Sequence, residues 1–188
     1  MATPDPWADF FDGSTYYTSP PLTDAMVAAA EKALGYTLPA SYLRLLRVKN
    51  GGAPKRQCHP TAGTHWSDNH MRVVAIFGIG GRWGIDSPEF GTRRMIEQAG
   101  YPEIGVIIGW TPTAGHDAIM LDYSACGPQG EPRVSHIEPN RAIARCWRRT
   151  SRRSSPGLWT ASRMRNSGSG RWRNISGGRK APRISRLI

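Results

Sequence analysis

Several groups of residues have the types and spacing that chemistry could use. Cys58, His59, His65, His70 and His116 are the side chains a transition metal prefers. Structural zinc, however, is held by two close pairs such as Cys-x-x-Cys with His-x-x-x-His, and the adjacent Cys58-His59 step is an awkward bite. These residues read better as ordinary loop residues, with no metal and no cofactor. His116-Asp117, with Ser124 or Cys126 nearby, supplies the residue types of a hydrolase triad. There is no Gly-x-Ser-x-Gly elbow, and sequence neighbours rarely serve as a base and its orienting acid. A tight turn in which Asp117 accepts from backbone amides beside Gly115 is the plainer reading. Gly78-x-Gly80-Gly81-x-x-Gly84 hints at a phosphate loop. A dinucleotide fingerprint would need glycine where Trp83 stands, and the Asp86 carboxylate would repel a phosphate. There is no Gly-Lys-Ser/Thr, so the glycines are expected to form a turn. Asp86 and Glu89, the nearest thing to paired catalytic carboxylates, have a plain role at a helix start.

The elements that must position these residues can be read in order. Trp7, Phe10, Phe11, Tyr16 and Tyr17 form an aromatic leader that should lie against the domain. Thr23 caps a helix whose Met26, Val27, Ala30 and Leu34 share a face and which Gly35 ends. Pro39 opens a second helix with Tyr42, Leu45 and Leu46 as its apolar stripe, stopped by Asn50-Gly51-Gly52. Ala53–Asn69 reads as a long polar loop. Arg72–Phe77 is expected to be one strand. Ser87-Pro88-Glu89 should open a helix running through Met95 to Gly100. Gly105–Trp110, Ala118–Tyr123 and Arg133–Ile137 are three strand candidates joined by short Gly- and Pro-rich loops. Helices first and consecutive strands later predict an α+β fold with helices packed on a mostly antiparallel sheet.

The 188 residues are enough for one domain, and 39% hydrophobic against 21% charged residues allows a buried core and excludes global disorder. The longest apolar runs, such as Val73–Phe77 and Val106–Ile108, fall far short of a membrane span, and the acidic, proline-bearing start does not read as an export signal. Three scattered cysteines, Cys58, Cys126 and Cys146, suit a reducing cytoplasm. The net charge of +11 is unevenly placed: residues 141–188 hold 14 Lys+Arg and no acid, whereas residues 1–140 hold 11 basic and 14 acidic residues, a net of −3. The tail mixes Arg, Ser, Gly and Trp with no helical or strand period, so it is expected to be disordered. Its composition is also that of GC-rich coding DNA read out of frame. Arginines with Trp147, Trp159 and Trp172 would bind RNA or single-stranded DNA non-specifically at low salt.

A longer pattern runs through the body. Glu31-x-x-Leu34-Gly35-x-x-Leu38-Pro39-x-x-Tyr42-x-x-Leu45-Leu46, closed by Asn50-Gly51-Gly52, resembles the opening signature of the SUKH superfamily, and more narrowly of the SMI/KNR family. Ile76-Phe77-Gly78-Ile79-Gly80, Gly100-Tyr101-Pro102-x-Ile104-Gly105, the segment from Ala114 to Tyr123 and Cys126–Pro132 are similar to later blocks of a bacterial branch. The resemblance covers roughly Trp7 to Glu138. It implies a SUKH-like domain over residues 1–140 with no cofactor, no catalytic centre and no small-molecule substrate. It further implies an immunity protein that binds and occludes a cognate toxin, possibly a nuclease, or else a regulatory or scaffold protein. In the family a strand bearing His-Ile is followed by another strand and a closing helix, and in this chain the Arg-rich tail stands in their place. The domain is therefore expected to lack that closing strand and helix. The expected contact surface is the loop around Trp66, Asp68 and His70 together with the turn around His116 and Asp117, because aromatic and charged loop residues often make contacts. Trp66 could equally pack on the core.

Overall fold

The computed structural model describes residues 7–60, 68–113, 115–139 and 141–146, the last segment as backbone only. Its elements are α1 (Asp24–Leu34), α2 (Ala40–Val48), β1 (Cys58–Pro60), β2 (His70–Arg72), β3 (Ala75–Ile76), α3 (Thr92–Ala99), β4 (Gly105–Trp110), β5 (Ala118–Asp122), β6 (Arg133–Glu138) and β7 (Arg141–Cys146). Strands β3 to β7 form one antiparallel meander in sequential order, and β1 pairs with β2 as a separate ribbon. The architecture is α+β, with the helices sharing one core with the sheet.

The first helix forms as its sequence dictates. The Thr23 hydroxyl accepts from the Met26 amide at 3.2 Å, and Gly35 ends the helix at a φ of 81°, where a side chain would be strained. In α2 the stripe Tyr42, Leu45 and Leu46 is buried, and the Tyr42 hydroxyl donates to the Phe77 carbonyl at 2.6 Å, fastening the helix to the chain after β3. The leader folds inward as expected for Trp7 and Phe11, at 6% and 8% exposure, while Tyr16 stays 65% exposed. Among the described residues no helix is long and apolar enough to cross a membrane.

Three local expectations are corrected. Arg72–Phe77 is not one strand, because the chain changes partner midway. Arg72 pairs with Cys58 of β1, Val74 donates to the Trp110 carbonyl, and Ile76 exchanges hydrogen bonds with Gly52. The supposed loop Ala53–Asn69 contains β1 for the same reason. The Ser87 hydroxyl does accept from the Glu89 and Phe90 amides as a cap would, but only a single turn follows. Thr92 then donates back to the Ile85 carbonyl, and α3 starts there with Gly91 as its cap.

Composition sets residues 141–188 apart, yet the sheet continues past that boundary. Strand β7 pairs antiparallel with β6, placing Ser135 opposite Cys146 and Glu138 opposite Arg141. Ladder hydrogen bonds use only the backbone, so an arginine-rich edge strand can be recruited despite its composition. The tail from residue 147 onward, with the disorder expected of it and the place of a closing helix, lies outside the described residues.

Candidate functional site

The expected contact residues are placed unequally. Asp68 is exposed and His70 half-buried at the start of β2, His116 is exposed in the β4–β5 turn, and Trp66 lies outside the described residues. The topology brings these loops to one end of the sheet, since Val74 bonds Trp110 and Trp110 directly precedes the Thr111–Asp117 turn. Asp117, expected on the contact surface, is instead 1% exposed.

Asp117 is turned inward because a second, unforeseen residue waits for it. His136 on β6 is 3% exposed, and its Nε2 lies 2.6 Å from Asp117 Oδ2. The hydroxyls of Thr111 and Thr113 donate to the other carboxylate oxygen. Side-chain hydroxyls thus help to hold the turn. Nearby, the Tyr101 hydroxyl donates to the Gly115 carbonyl at 2.6 Å, and burial together with the Asp117 charge pushes its phenol pKa up. An acid, an imidazole and two hydroxyls therefore meet as in a hydrolase, but one carboxylate oxygen is engaged within the turn and the other by β6. His136 was hard to recognise in the sequence because a histidine within an apolar strand carries no spacing signal of its own.

The glycine segment is also built for structure. Asn50 Oδ1 accepts from the Ile79 amide at 2.8 Å, while its Nδ2 donates to the carbonyls of Ile79 and Pro20. Asp86 Oδ1 accepts from the Gly80 amide at 2.7 Å, and Ser19 donates to the Gly80 carbonyl. The amides that a phosphate would require are thus taken by Asn50 and Asp86. Gly78 is required by this embrace, since a Cβ there would come within 2.5 Å of the Asn50 carbonyl oxygen. Among the described residues no group of three or more His, Cys, Asp or Glu is gathered as metal ligands would be. His65 lies outside that set. Burial pushes the His59 pKa down to about 4, so its imidazole is neutral near pH 7.

What the surface does offer is an aromatic shelf. Trp83 stacks on Phe90 with ring centroids 4.6 Å apart, Tyr17 meets Trp83 edge-on at 5.2 Å, and the exposed Tyr16 lies 5.5 Å from it. Trp110 closes the row at 6.4 Å from both Trp83 and Phe90. The Arg82 guanidinium sits over both Trp83 and Phe90, at 5.4 and 5.1 Å from their centroids, and pairs with Glu89 at 3.1 Å. The shelf adjoins the sheet end that carries His116 and the β2–β3 link. No spacing rule joins Tyr16 to Trp83, so only the fold reveals it.

Residues 21–148 match the family described as SMI1 / KNR4 family (SUKH-1), a span that reaches from just before α1 to beyond β7. No curated protein and no solved structure matches the chain.

Proposed function

The chain belongs to the SMI1 / KNR4 family (SUKH-1), and from that premise we propose that it is a non-catalytic protein-binding module, an immunity protein that occludes a cognate toxin. The family domain is compatible with immunity and regulatory roles. The observation that carries the reading is the contrast between the two chemical groupings at one end of the sheet. The acid–imidazole pair is shut inside at 1% and 3% exposure, while Tyr16 of the aromatic shelf is 65% exposed and Tyr17, Trp83, Phe90 and Trp110 are half-buried. Binding proteins present rigid aromatic and arginine side chains in this way, since such groups bury much area at low entropic cost.

The contact face runs from the shelf across Asp68, His70 and His116, with Trp66 as its further proposed member. Residues 1–140, at a net of −3, permit local charge complementarity with a basic, nucleic-acid-binding toxin. The experiment is to purify the protein encoded beside this gene and titrate it with the chain. The reading expects a stoichiometric complex that loses the toxin's activity and weakens with salt. A regulatory member of the family would instead have no toxin gene beside it and would protect against none.

A further inference from the structure

The junction between the leader and the body asks for two particular residues side by side. Position 50 accepts from the Ile79 amide and donates to the carbonyls of Ile79 and Pro20, a double role suited to a short carboxamide. Position 51 needs glycine. Its φ is 89°, and a Cβ there would come within 2.7 Å of the Tyr17 carbonyl oxygen and 2.8 Å of the Gly78 nitrogen. The fold therefore sets asparagine directly before glycine, a pair that the sequence contains once.

Asparagine is a chemically labile residue, and glycine after it leaves the approach to its amide unhindered. The Gly51 nitrogen bonds to Asn50 Cγ, the Cγ–Nδ2 bond breaks, and ammonia leaves carrying the Gly51 proton. Water then opens the cyclic imide at either carbonyl, leaving aspartate or isoaspartate. In the folded chain each reacting group is restrained. Asn50 is 3% exposed, with both ends of its amide bonded and its own carbonyl accepting from the Ser19 amide at 2.8 Å. The Gly51 amide donates to the Lys49 carbonyl at 2.8 Å. Tyr17 and Gly78 crowd Gly51, which opposes the backbone rotation that attack requires.

We propose that Asn50-Gly51 is a one-way modification site gated by folding. The closed junction protects the amide, and a chain that opens there deamidates and cannot close again. The chemistry of the product makes the step irreversible. A carboxylate at position 50 has no hydrogen to donate, so it meets the Pro20 and Ile79 carbonyls as a buried, repelled charge. Isoaspartate also adds a methylene to the main chain and moves Gly51 out of its fit against Gly78. The same junction anchors Ser19, whose hydroxyl donates to the Gly80 carbonyl at 2.6 Å. Tyr16 and Tyr17 of the shelf lie just before that anchor, so the modification loosens the segment that places them. This site does not depend on what the shelf binds.

The test follows Asn50 in the full chain by peptide mass spectrometry during incubation in mildly alkaline buffer. One sample stays native, a second is unfolded in urea, and a synthetic peptide of residues 47–53 sets the unprotected rate. The urea sample should deamidate at close to the peptide's rate, and the native sample at least about tenfold more slowly. Asn50→Asp, made directly, reads the other half of the proposal. It should melt well below wild type or show no cooperative transition, and either result supports a junction that cannot close. A native rate matching the peptide's would overturn the proposal, as would an Asn50 that stays intact in urea. So would an Asn50→Asp chain, or a deamidated chain recovered from urea and refolded, that melts with wild type.

Discussion

His136 Nε2 lies 2.6 Å from Asp117 Oδ2, although the two residues are 19 positions apart and both are buried. The pair ties the β4–β5 turn to β6, one strand further across the sheet. It locks a loop that carries the exposed His116.

Removing either side chain deletes the 2.6 Å contact between two buried groups. Asp117→Ala and His136→Ala should each lower unfolding stability by about 3 kcal/mol. The double variant should lose less than the sum, with a coupling above about 1 kcal/mol. Urea denaturation of the four proteins measures this, and a coupling near zero would show that the two side chains act independently.

Stability should also fall in mild acid through His59. Its folded pKa of about 4 lies below the unfolded value near 6.5, so the unfolded chain binds the proton first. The stability is therefore intact above pH 6.5 and declines as pH falls from there towards 4, by on the order of 2 kcal/mol. Comparing wild type with His59→Gln at pH 7.5 and 4.5 isolates this contribution, because the variant lacks the titrating group. An identical acid response in both proteins would contradict it.

The Asn50 side chain serves three backbone groups at once, on Pro20 and Ile79. Asn50→Ala leaves them inside without partners and should lower stability by about 3 kcal/mol. Gly78→Ala attacks the same junction from the other side, by pushing a methyl group against the Asn50 carbonyl. It should cost about 1–3 kcal/mol. Thermal melts of both would decide, and a neutral Gly78→Ala would mean that the two segments separate easily.

Much of this architecture is legible from local patterns. Thr23, Gly35, Pro39 and the α2 stripe act within a few residues, so α1 and α2 sit where their spacing puts them. The runs of β4, β5 and β6 are apolar enough to be strands in any arrangement. Expectation fails where a distant partner decides. Val73–Ile76 breaks because Gln57, Trp110 and Gly52 each claim part of it, and Ser87 caps one turn because Ile85 draws Thr92 back. In the candidate site, His116 and Asp68 are exposed as polar loop residues should be. Asp117 is not, because the imidazole that buries it comes from another strand. The aromatic shelf was invisible for the same reason.

The shelf offers a test that separates folding from contact. Tyr16 is 65% exposed, so Tyr16→Ala should change stability by less than about 0.5 kcal/mol. If this face meets the partner, the same change should weaken the complex by about 1–2 kcal/mol, roughly tenfold in dissociation constant. Calorimetric titration of variant and wild type supplies both numbers, and unchanged affinity would move the interface elsewhere.

The central claim is that this domain works by gripping another protein. Its most direct test is titration of the purified full chain into the protein encoded next to it, with the partner's activity followed at each ratio. The account predicts a one-to-one endpoint at which that activity is lost and from which added salt releases it. Full partner activity at saturating chain, with no complex by calorimetry at any ionic strength, would contradict the account.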